Sequence, residues 1–295
     1  MNNAAHGESL DHEVYRTPFV VKPVFTTVDT PSNYVDRHLG TDELPKTMKV
    51  WRVQSSDRNN VVCRAYGFED SPDAEVIAQG LNFGKEYGAV GIGRHGNVLQ
   101  WGYGDPPSRM TEAGRTLFIN CIHYITRFDG HAPLVYREAS PRLNSVRLAL
   151  VLDQIDDREF FRSSFTPEQI EQYEGKAKDL AAFYRENIEL VRREETFVLD
   201  TELQSLGLTS NRTLETLDKL IELLDEPASA DTAAQLLARY TNQEFSSSQQ
   251  WRQWFDDNKD RIYFTDFGGY KFLVRPEGYP AGHQDQTAIG KALYR

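Results

Sequence analysis

The sequence predicts an α+β protein: a small mixed sheet domain carrying one long helix, then a mainly helical domain that ends in a β-hairpin. Three observations carry this reading. The stretch Tyr87-Gly-Ala-Val-Gly-Ile-Gly-Arg-His-Gly-Asn-Val-Leu-Gln-Trp-Gly-Tyr-Gly104 reads as strand, tight turn and strand. Leu117, Phe118, Cys121, Ile122 and Ile125 then recur at helical spacing. Past Leu143 the apolar residues keep a helical period until Ile262–Val274, where two aromatic-rich runs join around Gly268-Gly269.

Residues 1–13 are polar and are expected to form a flexible arm, followed by a sheet-and-helix domain over 14–130. Within that domain, Phe19–Val21 and Val24–Val28 are strand-like, with Pro18 and Pro23 limiting where they can pair. Val50–Gln54 alternates apolar and polar residues, as a half-buried strand does, and Val61–Tyr66 is a similar run. Asp70–Asp73 is turn chemistry, continued by a short helix or loop to Gln79. Arg94–Asn97 suits the turn between two strands, because glycine and asparagine tolerate positive φ. Thr111 is placed to cap the long helix, with Glu112 at its positive end, and Gly130 closes it.

Two prolines and little periodicity mark 131–143 as a linker. The helical domain spans 144–275, and 276–295 reads as an extended tail. Helices are expected over Val146–Ile155, Lys176–Arg193, Asn211–Leu224 and Ala233–Tyr240, with a further short one around Trp251, Trp254 and Phe255. Thr166-Pro-Glu-Gln169 is a capping-box start, and Asp200 can cap a short helix ending at Gly207.

At 295 residues with 39% hydrophobic content, the chain has material for packed cores in roughly two domains. Its 33 basic and 44 acidic residues give a net charge of −11. That balance repels phosphate backbones and anionic lipid, so neither nucleic acid nor a membrane surface is an expected partner. The polar start is wrong for a signal peptide, and no apolar run approaches the roughly 20 residues of a membrane span. A soluble chain is expected, with an extracytoplasmic location left open should a leader be missing. Cys63 and Cys121 have no zinc or redox spacing and are expected to be buried thiols, although one disulfide is allowed.

Gly91-Ile-Gly-Arg-His-Gly96 matches a dinucleotide fingerprint in letters only. That motif needs a helix to start at its last glycines, and here strand residues follow, so no cofactor is expected. Arg94 and His95, exposed at the turn, are candidates for anion binding or general-base chemistry, with Asp105 nearby as a third catalytic candidate. No carboxylate close in sequence is spaced to orient His95. Trp101 and Tyr103 are candidate ligand-binding residues, suited to stacking on a sugar. Metal binding is not expected, because no His-x-His or His-Glu-x-x-His occurs and the acidic group around Asp153 lacks the glycine of a calcium loop. Asn211-Arg-Thr213 is a glycosylation sequon that also sits where a helix cap belongs.

Val90-Gly-Ile-Gly, Val98-Leu-Gln-Trp-Gly and Met110–Ile125 together resemble the closing strand pair and final helix of the class I glutamine amidotransferase-like fold, in particular its trehalose-utilisation type. The likeness covers residues 87–128 and implies a reduced sheet domain. No nucleophile elbow with Cys or Ser is present, so no catalytic residue carries over. Tyr240–Phe245 and Trp251–Arg261 look like the end module of bacterial extracytoplasmic helical-repeat proteins, which implies protein–protein contact.

The expectation is therefore a non-catalytic binding or assembly subunit that contacts another protein or a larger assembly. The alternative is a hydrolase, or a degenerate amidotransferase-like domain, acting on a carbohydrate-like small polar substrate.

Overall fold

The computed structural model describes residues 4–6, 10–36, 38, 43–56, 60–68, 70–82 and 84–279. The chain divides between Leu134 and Val135 into two compact units, and of the extended tail expected over 276–295, residues 280–295 lie outside the described residues. Among the described residues every strand pairing is antiparallel, so the protein is α+β with several small antiparallel sheets, and the small sheet expected as mixed in the first unit is two antiparallel ones there.

In the first unit, β2 (Phe25–Asp29) pairs with β3 (Thr47–Arg52), and β3 pairs on its other edge with β1 (Ala4–His6). The expected flexible arm thus contributes a strand at 4–6, while residues 1–3 and 7–9 lie outside the described set. A single turn of helix, α1 (Ser32–Asp36), lies between β2 and β3. The second sheet has the order β4-β5-β6, built from Ala74–Gln79, Val90–His95 and Val98–Trp101. β5 and β6 are joined by the two-residue loop Gly96-Asn97, and Gly96 sits at φ +55, where glycine escapes the Cβ penalty.

β4 corrects the expected helix or loop over 74–79. Four of its six residues are buried and the other two partly so, on both faces, so they show no alternation, and Ala and Glu are weak strand formers. The segment Glu13–Tyr15 forms a turn of 3-10 helix. Thr111 caps α2 (Glu112–Ile125) by accepting from the Gly114 amide at 3.0 Å. Leu117, Cys121 and Tyr124 of α2 pack with Trp51, Val53, Ile77, Ile92 and Tyr103 into one core.

In the second unit α3 (Leu143–Leu150), α4 (Arg158–Arg162), α5 (Pro167–Gln172) and α6 (Ala177–Glu186) precede a small hairpin of β7 (Val191–Arg193) and β8 (Phe197–Leu199). The helix expected over 176–193 stops at Glu186, and Val191 becomes a buried strand residue. α7 (Thr201–Ser205), α8 (Leu214–Leu223), α9 (Ala230–Thr241) and α10 (Ser248–Asn258) follow, and β9 (Ile262–Thr265) with β10 (Lys271–Val274) closes the unit. The expected caps form: Thr166 and Gln169 complete a capping box, and Asp200 accepts from Leu203 N at 2.9 Å. Trp251, Phe255, Tyr270 and Phe272, aromatics of the last third, are buried in this unit.

A buried cation fixes the second unit. Arg142, fully enclosed, donates to both oxygens of Asp266, to Ile188 O and to Asn211 Oδ1. Asn211 is therefore a buried hydrogen-bonding residue, while Thr213 caps α8. Asp200, also buried, is ringed by Tyr240, Arg192 and Arg239. Such charges persist in a low dielectric because each is paired and hydrogen-bonded.

Candidate functional site

The five residues singled out in the sequence sit on or beside the β4-β5-β6 sheet, and each is engaged by different partners. Arg94 is not at the turn but inside β5, 1% exposed, because the loop between the strands takes only Gly96 and Asn97. Its Nε donates to Glu75 Oε1 at 2.5 Å, its Nη1 donates to Gly96 O at 3.0 Å, and the guanidinium lies 3.8 Å over the Phe128 ring. Tyr124 donates to the same Glu75 oxygen, and His12 Nε2 stands 3.5 Å from the other. Burial alone would raise the Glu75 carboxyl, but the donors from His12, Tyr124 and Arg94 outweigh it and hold the group at about 2. This is an internal ion pair, not an anion-binding tip.

His95, the next residue along β5, projects to the opposite face. It is the one partly exposed member of a polar group: Nε2 lies 3.3 Å from Asp73 Oδ1 and 3.2 Å from Ser71 Oγ. The carboxylate beside His95 comes from a distant part of the sequence. Asp73 sits 22 positions upstream, brought alongside by β4, whose Ala74 pairs with His95 itself. Serine, histidine and aspartate together invite comparison with a nucleophilic triad, but the geometry differs. In a triad the carboxylate and the hydroxyl occupy opposite ring nitrogens, so that one orients the base while the other gives up its proton. Here both meet Nε2, Ser71 donates directly to Asp73, and Ser71 and Asp73 are fully buried. Asp73 also accepts from Leu134 N at 3.0 Å, and its backbone carbonyl accepts from Gly96 N. Burial raises the Asp73 carboxyl and the bonds from His95, Ser71 and Leu134 more than reverse this, leaving it below the usual carboxylate range. The cluster ties the β5–β6 loop to the segment after α2.

Asp105 lies past the end of β6 with a third set of partners. It accepts from Ser56 Oγ at 2.7 Å and Ser56 N at 3.0 Å, while its own amide donates to the buried Gln54 side chain at 2.9 Å. The Ser56 hydroxyl holds its carboxyl below the ordinary value. Tyr103 is 2% exposed, which removes it as a platform for a sugar. Trp101 is half-buried and meets Phe118 edge-on at 5.0 Å and Tyr103 at 5.5 Å. Among the described residues no group of three His, Cys, Asp or Glu side chains could hold a metal ion, and no helix is long and apolar enough to cross a membrane. Cys121 is buried and Cys63 partly exposed, both as free thiols; burial pushes the Cys121 thiol up to about 12.

What the sequence reading missed is the other face of α2. Leu117, Cys121 and Tyr124 point inward, at steps of four and three. Ile119 and Ile122 fall on the opposite side and are 49% and 51% exposed, although the helical spacing grouped Ile122 with Leu117 and Cys121. The segment of Phe19 and Val20, which are 55% and 63% exposed, is tied to the same helix. It is fixed there by the enclosed Asn120 side chain, which accepts from Phe19 N at 3.1 Å and donates to Phe19 O and Val14 O at 2.6 Å each. On the other flank of the helix Phe118, half-buried, leads to Trp101. The signal was available: a three-residue step that is out of phase with the buried stripe marks a second face.

No known protein family, curated protein or solved structure matches the chain.

Proposed function

We propose that this protein is a non-catalytic binding or assembly subunit that contacts another protein through the outward face of α2. The observation that carries the reading is the pair Ile119 and Ile122, half-exposed on a helix to which Asn120 also ties the exposed Phe19. Leaving large aliphatic side chains in water forgoes about 1.5–3 kcal/mol of burial each, and apolar patches on rigid elements mark interaction sites. The engagement of Arg94 by Glu75, of His95 by Asp73 and of Asp105 by Ser56 supports binding over turnover, because each polar group is committed to holding the fold.

The test is a photo-crosslinking amino acid placed at position 119 or 122 of the full chain in living cells. Covalent adducts to protein at these positions, and none at exposed Glu168, are the expected result. No protein adduct at either position would overturn the proposal.

A further inference from the structure

We draw no further inference here: the strongest candidate, the cleft in the second unit between the end of α4, the start of α5 and the β7–β8 loop, lined by Arg162, Thr166, Glu168, Glu194 and Glu195, is an acidic cluster none of whose lining residues carries a buried, unpartnered polar group to say what ligand it takes.

Discussion

Replacing Glu75 with Gln removes the carboxylate from the internal network of Arg94, Tyr124 and His12 while keeping the size of the side chain. The carboxyl ordinarily titrates at 4.5 and is held at about 2 in the folded protein, a shift that corresponds to about 3 kcal/mol of stability. Because the folded-state value is the lower one, that stability is fully present above pH 4.5 and drains away as pH falls toward 2. At pH 3 about 2 kcal/mol of it is already lost, by the same linkage relation. The variant has no such group to titrate, and it leaves Arg94 buried without its counter-charge, so at pH 7 it is destabilised by about 3–5 kcal/mol. The assay is urea unfolding at pH 7 and pH 3, followed by tryptophan fluorescence; Trp51 and Trp101 lie in the same core as Tyr124 and report its opening. The stability gap between wild type and variant should narrow by about 2 kcal/mol on going from pH 7 to pH 3. A gap that stays constant across that range would show that Glu75 is not the ionised centre of the network.

Three further outcomes follow from the packing. A Cβ on Gly91 would stand 2.6 Å from the Tyr103 hydroxyl, so Gly91→Ala should cost about 1–3 kcal/mol in thermal or urea unfolding. Among the described residues that hydroxyl has no hydrogen-bond partner, so Tyr103→Phe alone should be neutral or mildly stabilising, and combined with Gly91→Ala it should recover most of the loss; equal cost with and without the hydroxyl would refute the clash. In the second unit, Asp266→Ala strips Arg142 of its carboxylate and should destabilise by about 3–5 kcal/mol, measured as loss of the second unit's unfolding transition in calorimetry. Asn211 spends both ends of its amide inside the protein, so expression through a secretory pathway that glycosylates sequons should give folded protein of unmodified mass by mass spectrometry.

Local chemistry was legible wherever it acts within a few residues. Thr111, Thr166 and Asp200 cap their helices as the sequence implied, since a cap bonds an amide two or three positions on. The Gly96 loop is likewise visible, although it is shorter than expected: Arg94 and His95 belong to β5, because the loop needs only two residues. β4 was illegible for a definite reason. A strand covered on both faces loses the alternation that announces a half-exposed one. Missing it meant missing Asp73 and Glu75, and with them the partners of His95 and Arg94.

By itself the sequence determined the caps of α2, α5 and α7, that strands flank Gly96, and that the chemistry of the Gly91–Gly96 run is that of a hairpin. Those outcomes depend on backbone preferences and on neighbours one to four positions away. Only the tertiary structure decided that Arg94 is enclosed, that His95 shares one nitrogen between Ser71 and Asp73, and that Ile119 and Ile122 face outward. Each of these depends on which distant segment packs alongside, as with Asn120 gripping Phe19 across 101 positions. Exposure of an apolar side chain is a property of what fails to cover it, and a linear pattern records the side chain without its cover.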